Sequence, residues 1–221
     1  MNELSQNEFI EKIASKLRTS GPMSSNELQQ TTSLSQPQLS RYLKKLSPQI
    51  IRIGKGKNTR YAYLRNFPQV GSEVSIYQVK ENGEYKKIGT LYPIMPKGFY
   101  WEAEDAKQSR FFDDLPYFLN DLRPAGFLGR ITPRTYPDWE FPENIQLWNA
   151  EATLRYLTNF GVDLIGGLIV GDKAVQKFIS STFQIIETNK VTNEVELYEE
   201  LARGVEKYGI PGSSAGGEHP K

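Results

Sequence analysis

The sequence predicts an α+β fold made of a basic N-terminal part and an acidic body. Three helical patterns and a hairpin come first, and strands followed by mixed helices and short strands come after them. Residues 1–65 hold 11 Lys/Arg and 4 Asp/Glu, a net charge of +7, whereas the remainder holds 16 and 22, a net charge of −6. This asymmetry favours a head that binds a polyanion, carried on a mildly acidic body.

The composition excludes several classes of site. The chain has no cysteine, which rules out disulfides, thiol catalysis and cysteine-based metal centres, and its one histidine, His219, cannot form a multi-histidine site. No metal site and no catalytic residue is therefore predicted. The N-terminus is amphipathic and carries early acids, unlike a signal peptide, and no apolar run approaches the length of a membrane span. We expect a cytoplasmic protein with no membrane partner.

Helical patterns fill most of residues 1–46. The first helix is predicted over roughly 6–18 from an apolar stripe at helical spacing, and Ser20-Gly21-Pro22 ends it. Ser24 to Glu27 forms a capping box that opens a second short helix through Gln30. Ser35 to Gln38 repeats this device and opens a third helix to about Leu46, with Pro37 in its first turn.

The third helix and the hairpin after it supply the candidate DNA-binding residues. The helix buries leucines on one face and presents hydrogen-bonding and cationic groups on the other, as the reading of base edges and phosphates requires. The hairpin has two β-branched or aromatic runs around the turn KGKN, with basic residues on its strands and tip. The candidates are Gln36, Gln38, Ser40, Arg41, Lys44 and Lys45 on the helix and Arg52, Lys55, Lys57 and Arg60 on the hairpin.

This order of a short helix, a turn, a polar third helix and a basic hairpin resembles winged helix-turn-helix regulators. The resemblance implies that residues 1–65 bind double-stranded DNA. The alternative is a small core whose basic surface is merely solvated. GKGKN opens no helix and fits no Walker spacing, so it is not interpreted as a phosphate-binding loop. Residues 66–71 have linker character and separate this domain from the body.

The body, residues 72–209, is predicted to mix strands and helices. An Asn82-Gly83 turn joins two strands that feed Ile76, Val79, Ile88 and Leu91 into the core. The further elements expected are a strand at 99–101, a helix at 148–160, a short buried strand in GGLIVG, and helices at 172–180 and 194–208.

Paired carboxylates at Asp113-Asp114 raise the question of acid–base catalysis. Asp114 precedes Leu115-Pro116 and an apolar run, which favours a helix N-cap instead. No second feature of a catalytic site accompanies the pair.

Two segments carry a resemblance to a known family. FFDDLPYFLNDLRPAGFLGR at 111–130 and GSSAGGEHPK at 212–221 together resemble the HipA-family serine/threonine kinases, which are toxins of bacterial toxin–antitoxin systems. The match is to the YjjJ-type branch, in which a helix-turn-helix precedes the kinase. The resemblance covers about 72–221 and implies that residues 72–209 form a kinase N-lobe-like subdomain.

In this family a Gly-rich loop closes over the nucleotide phosphates, because small residues let backbone N–H groups approach phosphate oxygens. The resemblance places the start of that loop at 210–221, with ATP and Mg²⁺ as the cofactors of a complete kinase. It also implies autophosphorylation of a loop serine, Ser213 or Ser214. The nucleotide-binding residues would be Ser213, Ser214, Ala215, Gly216, Gly217, Glu218 and Lys221.

The resemblance stops short of the kinase's catalytic residues. The phosphate-holding lysine, the catalytic aspartate and the magnesium-binding aspartate have no counterpart here, so this chain alone should not transfer phosphate. We expect the DNA-binding, regulatory N-terminal portion of a HipA-like kinase, or a split partner that docks on a separate catalytic lobe as an antitoxin. A stand-alone transcriptional regulator whose body senses a ligand or partner is a third hypothesis, and homodimer formation is left open.

Overall fold

The computed structural model describes residues 3–161 and 165–188. The chain divides into two compact units. Unit 1 contains the described residues up to Val74 together with Ile88–Pro116, and unit 2 contains Ser75–Lys87 and the described residues from Tyr117 onward. Both helices and antiparallel sheets are present, which confirms the α+β class.

Unit 1 opens with three helices, α1 (Glu3–Ser20), α2 (Ser25–Thr32) and α3 (Gln36–Leu46). The bounds of α3 agree with the sequence prediction, whereas α1 and α2 are each a few residues longer than predicted. The apolar stripes of the helices meet in one core. Its buried members include Ile13, Leu17, Leu28, Leu39, Tyr42, Leu43 and Leu46.

A three-stranded antiparallel sheet completes this part of unit 1. Its strands are β1 (Met23–Ser24), β2 (Ile50–Ile53) and β3 (Arg60–Tyr63), in the order β1-β3-β2. The β2–β3 hairpin is in the register that pairs Ile50 with Tyr63 and Ile53 with Arg60, and a 3₁₀ turn at Gly56–Asn58 lies at its tip. The predicted hairpin is confirmed.

Both faces of the β2–β3 hairpin are packed. Strand side chains alternate between faces, so Ile50, Tyr61 and Tyr63 pack against the core of the three helices. The opposite face packs against a second core that includes Ile94 and Tyr100. The hairpin contributes Ile51, Ile53, Ala62 and Leu64 to this second core.

The end of β3 and the chain just after it hydrogen-bond to Pro93 and Met95, which come much later in the sequence. The Arg65 amide donates to the Pro93 carbonyl at 2.9 Å, and the Met95 amide donates to the Tyr63 carbonyl at 2.8 Å. Residues 66–71, which the sequence predicts to be a linker, form a turn in which the Phe67 and Gly71 backbones bond to each other. Phe67 is buried, with its ring centroid 6.3 Å from that of Phe99.

Unit 1 also holds most of an antiparallel meander. Its strands are β5 (Tyr85–Pro93), β6 (Phe99–Ala103) and β7 (Arg110–Phe112), with Leu91 opposite Trp101 and Tyr100 opposite Phe111. A short 3₁₀ turn at Ala106–Gln108 joins β6 to β7. Gly89 is required here, because a Cβ at this position would come within 2.4 Å of the Trp101 ring. The pKa of Tyr92 is raised to about 12, mainly because the hydroxyl is buried and secondly because the Glu102 carboxylate lies nearby.

In unit 2, β4 (Val74–Val79), which belongs to this unit from Ser75 onward, pairs with β8 (Leu168–Val170) and places Ile76 opposite Val170. The predicted Asn82-Gly83 turn is confirmed, since the Lys80 amide bonds to the Glu84 carbonyl and Gly83 has φ +82°. The helices are α4 (Tyr117–Asn120), α5 (Gly126–Thr135), α6 (Ala150–Phe160) and α7 (Asp172–Thr188). Short 3₁₀ turns lie at Pro137–Trp139, Ile145–Leu147 and Ile165–Gly167. The predicted helix at 194–208 lies outside the described residues.

Aromatic rings form a packed region in unit 2. Phe141 and Trp148 are buried and lie with their ring centroids 4.8 Å apart, while Tyr136 and Phe160 stack at 3.9 Å. The Trp148 indole donates to the Pro142 carbonyl at 2.8 Å, so its polar nitrogen is satisfied. These rings hold α6 against the irregular segment that precedes it.

The predicted N-cap role of Asp114 is wrong. α4 begins only at Tyr117, and the Asp114 carboxylate accepts a hydrogen bond from the adjacent Leu115 amide instead. Pro116 biases Leu115 away from helical geometry, which delays the start of the helix. Both Asp113 and Asp114 are exposed.

We predict that Ile94→Ala destabilises the protein by about 2 to 5 kcal/mol, because it leaves a cavity beneath the β2–β3 hairpin. Ile94 is 3% exposed. Urea unfolding followed by circular dichroism measures this change. The control is Leu147→Ala, since Leu147 is 70% exposed and its truncation should cost less than about 0.5 kcal/mol. Equal unfolding midpoints for the two variants would contradict the prediction.

Candidate nucleic-acid interface

The helix before the candidate interface is fixed by reciprocal caps. The Ser24 hydroxyl accepts from the Glu27 amide at 3.3 Å, and the Glu27 carboxylate accepts from the Ser24 amide at 2.7 Å. This is the predicted capping box. The other end of α2 closes on Ser33, whose left-handed backbone lets its amide bond to the Gln29 carbonyl at 2.8 Å. α2 therefore starts and stops at defined residues.

A related cap starts α3. The Gln38 side-chain oxygen accepts from the Ser35 amide at 3.0 Å and from the Ser35 hydroxyl at 2.8 Å. Pro37 occupies the first turn, where its missing amide hydrogen costs nothing. Four apolar side chains then anchor the helix, because their spacing places them on one stripe. These are Leu39, Tyr42, Leu43 and Leu46.

The opposite stripe of α3 faces solvent. Five of its six candidate residues are exposed, and Gln38 is half-exposed. The two exposed residues at the margins are bonded to neighbouring helices: Gln36 accepts from the Gln29 amide group of α2 at 2.7 Å, and Lys45 donates to Gln6 of α1 at 3.0 Å. Ser40, Arg41 and Lys44 lie between these margins.

The tip of the β2–β3 hairpin presents two further cations. Lys55 and Lys57 are exposed on either side of Gly56, which has φ +59°. A backbone turn this tight needs glycine, because a side chain in this region is strained. On the strands, Arg52 is exposed opposite Tyr61, and Arg60 donates to the Pro22 carbonyl at 3.1 Å.

The charges of these surfaces are not neutralised within the part of the chain that the structure describes. The ion pairs of the described residues include Arg18 with Glu11 and Lys80 with Glu84. Arg41, Lys44, Arg52, Lys55 and Lys57 take part in none within the described ranges. Exposed cations without an internal counter-ion are available to a polyanion, which releases its condensed counterions on binding them.

Glu27, which interacts electrostatically with Arg60 of the hairpin, has a structural role. The hydrogen bond from the Ser24 backbone amide, and then the bond with the Ser24 side chain, lowers the pKa of the Glu27 carboxyl, and Arg60 lowers it further. These interactions therefore favour the ionised carboxylate of Glu27 in its cap.

Several contacts were missed by the sequence analysis. Gln6 and Gln29 tie the margins of α3 to its neighbours, and nothing in their sequence context distinguishes them from other surface glutamines. Arg18 was also missed: its guanidinium lies 5.0 Å from the ring centroid of Tyr63. The predicted nucleotide loop, residues 213–221, lies outside the described residues. Within the described ranges no cluster of three or more His, Cys, Asp or Glu side chains could hold a metal ion.

The body of the chain is similar to a toxin. Residues 70–179 match the family model of the YjjJ-like toxin, middle domain. The chain is also 35% identical, over 204 residues, to Toxin YjjJ of Escherichia coli (strain K12). That alignment covers 91% of this chain and 45% of the relative, so the chain spans less than half of the relative's length. No solved structure matches the chain significantly, and no helix among the described residues is long and apolar enough to cross a bilayer.

We predict that Glu27→Gln removes an acid-sensitive contribution to stability. The folded-state pKa of Glu27 is lowered, so its stabilising contribution is present above the unfolded pKa near 4.5 and is lost as the pH falls through the folded-state value. Urea titrations at pH 6 and pH 3 should show wild type more stable than the variant at pH 6 and the difference smaller at pH 3. Glu81→Gln is the control, because Glu81 is exposed and is not part of a capping box. A difference that grows toward pH 3 would refute the prediction.

Proposed function

We propose that residues 1–65 form a winged helix-turn-helix that binds double-stranded DNA, within the regulatory N-terminal portion of a HipA-like kinase toxin. The observation that carries the proposal is the set of exposed cations without ion-pair partners on α3 and on the hairpin tip. The order helix, strand, helix, helix, hairpin, with strand order β1-β3-β2, supports it. The hairpin would be the wing.

In this proposal α3 enters the major groove. The groove is wide enough for a helix, and α3 presents one polar stripe while the other is fixed in the core. Lys44, in the last turn, would contact a phosphate, and Lys55 and Lys57 would contact the backbone from the wing.

Burial of the wing's underside supports a preorganised binding surface. Ile53 and Ala62 are at most 6% exposed beneath it, so the strands that flank the turn with Lys55 and Lys57 do not have to be ordered when DNA binds. Ordering a flexible loop on binding would cost part of the interaction free energy.

The comparisons support the toxin part of the proposal. The chain is similar to a protein named as a toxin over most of its own length, and its middle segment matches a domain of that kind. The kinase part depends on the HipA resemblance of residues 111–130 and 212–221 taken together, which includes the start of the Gly-rich loop. The backbone amides of that loop would hold the phosphates of ATP, and the Mg²⁺ ligands and catalytic groups would come from a catalytic lobe that the resemblance does not match here.

We predict that the 221-residue chain binds duplex DNA and that Arg41→Ala with Lys44→Ala weakens binding at least about tenfold. Loss of two contacts to DNA should also make the slope of log affinity against log salt shallower by as much as about 2. Fluorescence anisotropy with a labelled duplex, titrated between 50 and 200 mM salt as a rough range, measures both quantities.

The matched control removes the same charge elsewhere. Lys86 and Lys87 are exposed on β5, and replacing both with alanine should leave DNA affinity within about twofold of wild type. If the two double variants lose affinity equally, α3 is not the interface. If the wild-type chain binds no duplex, the proposed function itself is wrong.

We predict that the chain alone transfers no phosphate from ATP, because the catalytic and magnesium-binding groups of the kinase are not matched by its residues. After incubation with γ-labelled ATP and Mg²⁺, the label retained with the protein should not exceed the background of a reaction that lacks the chain. A Ser213→Ala, Ser214→Ala double variant separates autophosphorylation from a contaminating kinase. Label that appears on wild type and is lost in this variant would show that the prediction is wrong.

A further inference from the structure

The first turn of α3 offers two carboxamides to a groove, and both are already engaged. Base edges are read mainly by the N-terminal residues of a recognition helix, so Gln36 and Gln38 are the obvious readers. The Gln38 oxygen holds the cap through Ser35, and the Gln36 oxygen accepts the hydrogen bond from Gln29.

This engagement disfavours the usual pairing of glutamine with adenine. That pairing is bidentate: the side-chain oxygen accepts from the adenine amino group while the side-chain nitrogen donates to N7. The Gln38 oxygen accepts two hydrogen bonds, so Gln38 can form this pairing only by breaking a bond that defines the start of α3. The Gln36 oxygen accepts one bond, and this bond to Gln29 of α2 restricts the directions in which the Gln36 amide can face a base.

Arg41 is the strongest remaining candidate on the same stripe. Its side chain is exposed, and within the described residues it takes part in no ion pair. It lies at the middle of α3, whereas Lys44 and Lys45 lie in the last turn. Ser40 beside it carries a single short hydroxyl, which gives little discrimination between bases. A guanidinium forms two parallel hydrogen bonds, a geometry that a lysine ammonium cannot provide.

We infer that Arg41 is the base-reading residue of this chain and that its DNA site contains a guanine, which accepts from the guanidinium through O6 and N7. Lys44 contacts a phosphate and contributes affinity without sequence preference. Gln36 and Gln38 position the helix and contact no base. This inference rests on the proposed DNA-binding function and specifies the sequence class that the interface recognises.

The experiment begins by selecting preferred duplexes from a random pool with the full chain. Each guanine of the selected site is then replaced singly by 7-deazaguanine, which lacks the N7 acceptor and keeps the Watson–Crick edge. We expect one position at which this replacement lowers wild-type affinity by at least about threefold, as loss of part of a bidentate contact predicts.

Three variants separate reading from simple attraction. Arg41→Lys keeps the charge, so its salt slope should match wild type, but it should lose the sensitivity to 7-deazaguanine at that position. Arg41→Ala should bind the selected duplex roughly 5- to 150-fold more weakly than wild type and should no longer prefer guanine there. Lys44→Ala should bind all duplexes more weakly and keep the preference.

The outcomes distinguish this inference from the proposal beneath it. If wild type binds no duplex, DNA binding itself fails. If it binds but selects no guanine, or if Arg41→Lys retains full sensitivity to 7-deazaguanine, DNA binding stands and the role of Arg41 is overturned. If Gln36→Ala or Gln38→Ala abolishes the preference while Arg41→Lys keeps it, a glutamine is the reader instead.

Discussion

Burial of the β2–β3 hairpin between two cores is the constraint on which the arrangement of unit 1 depends. One face packs on the three helices and the other on Ile94 and Tyr100, and the backbone bonds from Arg65 to Pro93 and from Met95 to Tyr63 join the same two regions. A two-stranded hairpin is marginally stable in water by itself. Here apolar burial on both sides and paired backbone groups hold it, so its basic tip projects from a fixed base.

The need to satisfy polar groups with hydrogen bonds also determines which side chains of α3 are free to bind. Helix ends leave backbone amides that need partners, and Ser24, Glu27, Ser35 and Gln38 supply hydrogen bonds at the starts of α2 and α3. Side chains that cap a helix are less available to a ligand. The exposed candidate residues that take part in no cap are mainly cations, including Arg41, Lys44, Lys45, Lys55 and Lys57. The candidate interface is therefore defined as much by which polar groups are occupied as by which are exposed.

Local signals in the sequence predicted the elements well and their long-range contacts poorly. The bounds of α3, the capping box at Ser24 and the turn at Asn82-Gly83 depend on neighbouring residues, and each is present. The packing of the hairpin on Ile94 joins residues far apart in the chain, and no local pattern encodes it. α5 was missed because Gly129 and Pro133 argue against a helix. The sequence pattern places Gln38 both in a capping box and on the polar face of α3. Only its hydrogen bonds show that its side-chain oxygen is used in the cap.

Because unit 1 is assembled from two separate stretches of chain, the basic head cannot be exchanged between proteins as one continuous cassette. A recombination event that grafted only the first 65 residues onto another body would leave Ile53, Ala62 and Leu64 facing water. Such a chimera would be prone to aggregate unless the new body supplied a complementary apolar strand pair. Descent of this head should therefore be coupled to that of the β5–β6 ribbon, and the two stretches should accumulate compensating changes together.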